Sequence, residues 1–346
     1  MKALVYEGPR QLNIRELPEP TLEADEVLIK VAYSGICGSE LGGYLGHNSL
    51  RKPPLVMGHE FSGEIIALGA ATAKQRPELT IGQRVTVNPL IHSEQCHSRA
   101  CAEGRRNLCQ QREILGIHRP GSYADYVKAP AQNVYPLPDG LSLEHAALAE
   151  PLGCAVRAAK LAGCTPMDKV LITGLGPIGL LILQAIQRFG VTDITVTDTD
   201  PDRRAIAGEF GVRVVDPLAE DVVALLKAET HSAGVDVAID AVGATVTRKQ
   251  CIDAAVLGGR VIFVGLHEDN STLPVNDIIR KEINLQGSFA YAPLDFEDAL
   301  AWLAASWIKI DPWLVKAPLA EGQARFEQLL GRPGPVAKIL LYTEGG

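Results

Sequence analysis

Three groups of residues in this sequence have the types and spacing of reactive chemistry. Cys37 stands in GICGSE, and His59 with Glu60 stands in GHEFSGEIIALG. Thiolate, imidazole and carboxylate all suit Zn²⁺, and a catalytic zinc takes three protein ligands and leaves one position open. Singly, each has a plainer reading: Cys37 as a small buried hydrophobe, His59 and Glu60 as a surface pair. The second group is Cys96, Cys101 and Cys109 in SEQCHSRACAEGRRNLC, which fits a metal lobe, a disulfide cluster or the remnant of a lost site. The third is the turn Gly174-Leu175-Gly176-Pro177-Ile178-Gly179. A lone G-x-G-x-x-G is a weak signal, but here an apolar strand precedes it and an apolar helix follows, the context that a dinucleotide site requires.

Those residues need a scaffold. Upstream of about residue 135, short β-type runs such as EVLIKVAYSGI, FSGEIIALG, GQRVTVNPL and GSYADYVKAP alternate with Gly and Pro, which predicts an irregular, mostly β domain. At SLEHAALAEPLGCAVRAAKLAG the texture turns helical behind an N-cap Ser142, with Pro151 as an interruption. From Lys169 on, KVLITG, DITVTD, VDVAIDAVG, RVIFVGL and NLQGSFA read as strands of a parallel sheet buried on both faces. Their alternation with helices predicts a doubly wound α/β domain. The tail after about Asp295 is helical and ends in PVAKILLYTEGG, a strand expected to rejoin the first domain.

In the doubly wound domain, Gly174 permits the tight turn, Gly176 lets the backbone approach a pyrophosphate, and Gly179 lets helix pack on strand. The helix N-terminus then offers N–H groups and a favourable dipole to the phosphates. Asp198 ends the next strand; a carboxylate there accepts from both ribose hydroxyls and repels a 2′-phosphate, which predicts NAD over NADP. Arg203 reads either as a cover for the adenine or as a plain surface helix residue. Further coenzyme contacts are expected at Pro177 and Ile178, and at the strand ends Val242, Gly265 and Leu266.

Composition excludes several classes. The chain has 346 residues, is 47% hydrophobic and 21% charged, and carries a net charge of −8. That length favours two domains, and the acidic balance argues against nucleic acid or an anionic membrane as partner. No span long enough to cross a membrane is expected, and MKALVYEG reads as a strand rather than a secretory or lipidation signal. Seven scattered cysteines suit a reducing, cytoplasmic setting, where clustered cysteines more often bind metal than pair.

The stretch Gly58-His59-Glu60-x-x-Gly63 with Gly69 resembles the zinc signature of the medium-chain, zinc-containing alcohol dehydrogenases. GICGSE, GSYADYV, AEPLGCAVRA, the glycine turn and GGRVIFVG follow in that family's order, so the resemblance covers essentially the whole chain. CGS, GHE and AEPL together are most similar to its polyol branch, the sorbitol, galactitol-phosphate, butanediol and threonine dehydrogenases. The resemblance implies a GroES-like catalytic domain over 1–145 and 295–346, and an NAD-binding Rossmann domain over 146–294. It implies zinc-dependent hydride transfer from a small secondary alcohol to NAD, in a homodimer or homotetramer. Cys37, His59 and Glu150 would fall on or near the catalytic zinc, with Glu60 as a further carboxylate that ligates directly or exchanges with water. Ser39 occupies the hydroxyl relay position, passing a proton from alcohol to coenzyme ribose.

The pattern departs from the family in places. Gly42 stands where many relatives place a relay histidine, Glu40 replaces the usual aspartate, and His47 is a loop histidine that could substitute in the relay. In the lobe the family carries C-x2-C-x2-C-x7-C around a structural zinc. Cys101 and Cys109 keep the x7 spacing, Cys96 precedes Cys101 by x4 as if after an insertion, and Ser93 falls three residues before Cys96. His97 or His92 would then complete a three-cysteine, one-histidine set, or the lobe has lost its metal. Zinc-free quinone and enoyl reductases of the same fold have no need of Cys37, His59 and Glu60. A non-catalytic nucleotide-binding structural protein is the reading from another class.

Overall fold

The computed structural model describes residues 1–346 except 48, 49, 232, 332, 333 and 344–346. The β-branched run EVLIKVAYSG forms the strand Glu26–Gly35, and almost every residue of it is buried. It is the hub of a seven-stranded sheet whose path runs Val134–Pro136, Arg84–Val87, Glu60–Leu68, Glu26–Gly35, Lys338–Tyr342 and Leu314–Pro318, with Tyr126–Pro130 also paired to the hub. The C-terminal strand Lys338–Tyr342 thus returns to the N-terminal unit, as its apolar pattern predicts. Register decides what meets what: Gly35 lies opposite Glu60 on one side and opposite Leu340 on the other. Two sequence-distant strands therefore present Glu60 and Lys338 beside the end of the hub.

The hub strand leads through Cys37 into the helix Gly38–Tyr44, with Cys37 as its N-cap. Tyr44 anchors that helix. Its ring is fully buried and packs 5.2 Å from Phe326, which in turn meets Tyr123 edge-on at 6.1 Å. Burying each such aromatic side chain contributes about 1.5–3 kcal/mol, so the segment carrying Cys37 and Ser39 is held by apolar packing independent of any ligand.

The first unit comprises Met1–Glu150 and Ala292–Gly346, and the second Pro151–Tyr291. The second holds a six-stranded parallel sheet in the order Arg213–Val215, Ile194–Thr197, Val170–Thr173, Val235–Asp240, Ala255–Phe263, Asn284–Gly287. That is the 3-2-1-4-5-6 order of a dinucleotide-binding fold, with its reversal between Val170–Thr173 and Val235–Asp240. Two expectations need correction. NLQGSFA is not buried on both faces: Asn284–Gly287 is the edge strand and all four residues are exposed. Nor does Pro151 interrupt a helix. Leu143–Ala146 is a separate turn capped by Ser142, and Pro151 sits in the first turn of Ala149–Ala162, where its missing N–H costs no intrahelical bond.

Candidate metal centre and coenzyme turn

The ligand atoms of Cys37, His59 and Glu60 lie within 4.8 Å of one another, on a half-buried thiol, a buried imidazole and a buried carboxylate. Local sequence explains the arrangement. Gly58 adopts φ +97°, a left-handed conformation in which a Cβ would sit 2.6 Å from Ser122 Oγ, so only glycine turns the chain into His59. Its N–H donates to Glu40 Oε1 at 2.8 Å.

Glu40 organises the surroundings. Its carboxylate also accepts from the Cys37 N–H at 3.1 Å and from the Tyr123 hydroxyl, and it lies 3.2 Å from His59 Nδ1. A carboxylate on one imidazole nitrogen fixes the ring and leaves the other nitrogen to ligate. Burial opposes ionisation of Glu40, but His59, Arg51 and the Tyr123 hydroxyl prevail and hold its carboxyl down to about 2. For His59, burial disfavours the imidazolium, yet the charges of Glu40 and Cys37 hold it well above its ordinary value. The pocket attracts a cation, and its thiol, imidazole and carboxylate donors suit Zn²⁺.

Glu60 has a resident partner. Both its oxygens accept from Lys338 Nζ, at 2.8 and 2.7 Å, and Lys338 is 1% exposed. Lys338 also donates to the Ile36 carbonyl at 3.0 Å. Its sequence signal was a lone lysine inside the apolar run VAKILLY. Glu150 is buried in the same unit, and its charge helps hold Lys338 protonated, but it stands outside the close group of Cys37, His59 and Glu60. Ser39 is exposed, and its hydroxyl donates to Cys37 Sγ at 3.3 Å. His47 is exposed, with its N–H on the Gly42 carbonyl.

In the second unit the glycine turn follows the central strand as expected. Gly174 has φ +90°, and a Cβ on Gly179 would fall 1.8 Å from the Gly174 carbonyl oxygen, so turn and helix approach as closely as backbones allow. Gly176 caps the helix Pro177–Arg188, whose first residues are Pro177 and Ile178. Asp198 accepts from the Leu175 N–H at 2.6 Å and from the Asp200 N–H at 2.8 Å, which locks the carboxylate beside the turn. Arg203 Nη1 lies 3.9 Å from Asp198 Oδ2. Val242 packs against Gly174, and Gly265 against Val242 and Gly243, so the ends of neighbouring strands converge there; the Leu266 side chain is 75% exposed.

Two family models match the chain: the alcohol dehydrogenase GroES-like domain over residues 23–139, and zinc-binding dehydrogenase over residues 177–305. The chain is 36% identical to sorbitol dehydrogenase of Bacillus subtilis over 351 aligned positions, covering 99% of this chain and 97% of that one. It belongs to the zinc-type alcohol dehydrogenase family. D-arabitol-phosphate dehydrogenase of Enterococcus avium is 35% identical, with 99% and 97% covered. Among solved structures, 2R,3R-butanediol dehydrogenase from Bacillus subtilis superposes with a TM-score of 0.89 at 31% identity, covering 99% of both chains. The chain is therefore an oxidoreductase of the polyol- and alcohol-dehydrogenase family.

The cysteine lobe differs from the expectation. The sulfurs of Cys96, Cys101 and Cys109 lie within 4.8 Å of one another, and all seven cysteines are free of disulfides. Neither His97 nor His92 joins that group among the described residues; His97 is exposed. Ser98 comes to the sulfurs instead. It caps the turn Arg99–Ala102 by accepting from the Cys101 N–H, and its Oγ lies 3.4 Å from Cys96 Sγ. Ser98 belongs to the x4 stretch between Cys96 and Cys101, and Cys96 still joins the other two sulfurs across it. Ser93 accepts from the Gln95 N–H instead. The capping requirement draws residue 98 inward and leaves 97 facing out.

Proposed function

We propose that the chain oxidises a secondary alcohol of a polyol, sugar alcohol or related diol, with NAD as hydride acceptor, and catalyses the reverse reduction of the ketone. The supporting observation is the close Cys37–His59–Glu60 donor set with an exposed hydroxyl, Ser39, beside it. Cys37, His59 and Glu60 would hold a zinc ion, with Glu150 near enough to modulate the charge around it. When bound, zinc supplies Lewis acidity that makes an alcohol hydroxyl easier to deprotonate. Glu40 orients His59, and Lys338 balances Glu60 when no cation does. The Ser39 hydroxyl accepts the substrate proton as it passes its own toward the coenzyme.

In the coenzyme turn, the N–H groups at the start of Pro177–Arg188 would take the pyrophosphate. Asp198 would take the ribose hydroxyls, which favours NAD, and Arg203 would flank the adenine side. Assembly into a homodimer or homotetramer is supported by the unpaired edge strand Asn284–Gly287 and by the exposed apolar residues Leu257 and Ile279 of the same unit. Function in the cytoplasm is supported by the disulfide-free cysteines. Among the described residues, no helix is long and apolar enough to cross a membrane.

The test is a panel of sorbitol, arabitol phosphate, butanediol and threonine, read by NADH formation, with metal analysis of the same preparation. Turnover with zinc bound supports the proposal. No turnover of any secondary alcohol by zinc-loaded protein would defeat it. Replacing Asp198 with Ala should lower the preference for NAD over NADP about tenfold; an unchanged preference removes Asp198 from the ribose site.

A further inference from the structure

Arg51 is a buried cation next to the reactive cluster. It is 4% exposed, while the neighbouring Lys52 lies out in solvent. Its Nη2 donates to Ser39 Oγ at 3.1 Å, and its charge helps keep Glu40 ionised. Its Nε is buried with no hydrogen-bond partner among the described residues. The chain makes room for this side chain at Gly43, where a Cβ would fall 2.4 Å from Arg51 Cδ. Burying a guanidinium is costly, so its placement against Ser39 calls for a function.

The geometry points to Arg51 as the positioning residue of the alcohol site, holding the Ser39 hydroxyl in the rotamer that faces Cys37 and leaving its proton free to move. The inference rests on the reading of Ser39 as proton relay. A serine hydroxyl has one proton to donate and two lone pairs to accept with. Arginine only donates, so Arg51 occupies one lone pair and never competes for the proton. The Ser39 proton is then left for another acceptor, Cys37 Sγ at rest and the coenzyme side during the relay. The second lone pair stays open to a substrate hydroxyl. Ser39 is exposed and without Arg51 would rotate among its staggered wells. Arg51 cannot accept the relayed proton, so it acts through Ser39 and not as the end of the relay.

A double-mutant cycle tests this on the zinc-loaded enzyme, using the best alcohol from the panel. Arg51→Met should lower kcat about tenfold, since misplacing a reacting group is expensive in rate, with KM for NAD within about twofold of wild type. On a Ser39→Ala background the same change should cost less than about twofold, because the group it positions is gone. Arg51→Lys should restore part of the loss. Gly43→Ala, which displaces the guanidinium without altering charge, should reproduce the loss only when Ser39 is present, and it carries the cycle should Arg51→Met not fold. Losses that multiply in the double variant, or full kcat in Arg51→Met, overturn the assignment. Full kcat in Ser39→Ala alone defeats the relay reading itself, a separate outcome.

Discussion

Two Cys-x-Ser pairs, Cys37/Ser39 and Cys96/Ser98, sit at the starts of short helices, each serine within about one hydrogen-bond length of its cysteine. They serve opposite ends. At the second pair Ser98 is itself the cap, accepting from the Cys101 N–H, so its hydroxyl is committed to its own turn. At the first pair Cys37 takes the capping position and the Glu40 carboxylate reaches back to the Cys37 N–H, which relieves Ser39 of that task. Ser39 is free to face solvent and substrate. The partners differ in reach as well. Cys37, His59 and Glu60 are held by Glu40, Tyr123 and Lys338, drawn from a helix, a loop and a strand spread over the chain, whereas Cys96, Cys101 and Cys109 are folded together within one short stretch. The first geometry is imposed by the sheet and the second by local turns.

The contrast breaks most sharply at Cys37. Cys37→Ala should lower kcat on the order of 10³-fold or more, because the metal's contribution to charge stabilisation is several kcal/mol, while Tm changes little. Retained activity would sink the zinc mechanism. Lys338→Met should be the largest effect on stability. It leaves the Glu60 carboxylate buried without its cation, a loss of about 3–5 kcal/mol in metal-free protein. Added zinc should recover much of that loss by supplying the missing charge, and a Tm deficit indifferent to zinc would show that Glu60 does not face the metal. Glu40→Gln should weaken zinc affinity about 10–100-fold through the loosened His59 ring, measured by competition with a chromogenic chelator.

The first cluster was largely legible in sequence because glycine framing marks it: Gly35 leaves room for the Glu60 carboxylate, and Gly58 makes the left-handed turn into His59. Its supports were not. Lys338 was visible only as a lysine among apolar neighbours, and nothing local says which carboxylate it meets across a parallel-and-antiparallel sheet. Glu40 stood out as a departure from pattern, yet its bond to His59 depends on the Gly58 turn bringing residues 40 and 59 together. The parallel sheet is legible along its buried strands but not at Asn284–Gly287, where the polar Asn284 and Gln286 fit the exposed edge that the strand forms. In the lobe, spacing alone did not say that Ser98, rather than His97, comes to the sulfurs. The rule that an N-cap prefers serine was the available signal.

Cys109 is the fully buried member of the lobe. Cys109→Ala should lower stability by about 1–3 kcal/mol, an ordinary core loss, and leave kcat within about twofold. A kcat loss matching that of Cys37→Ala would erase the distinction between the two clusters.

The smallest effect concerns reactivity rather than turnover. The Ser98 hydroxyl beside Cys96, with the Cys101 and Cys109 sulfurs, holds the Cys96 thiol down to about 6. Ser98 favours the Cys101 thiolate too, but burial and the two neighbouring sulfurs push Cys101 above its ordinary value. The thiolate is the nucleophile, and a lowered value means that it is present above pH 6 and lost below. In zinc-stripped protein, alkylation of Cys96 by iodoacetamide should therefore rise through pH 6 and level off near neutrality, while Cys101 reacts appreciably only in alkali. Peptide mapping separates the two. Ser98→Ala should return the Cys96 profile toward that of a free thiol, whereas Ser39→Ala should leave it untouched. Equal alkylation of Cys96 and Cys101 at neutral pH would show that Ser98 caps its turn without polarising the cluster, and the lobe's serine would then differ from Ser39 in position alone.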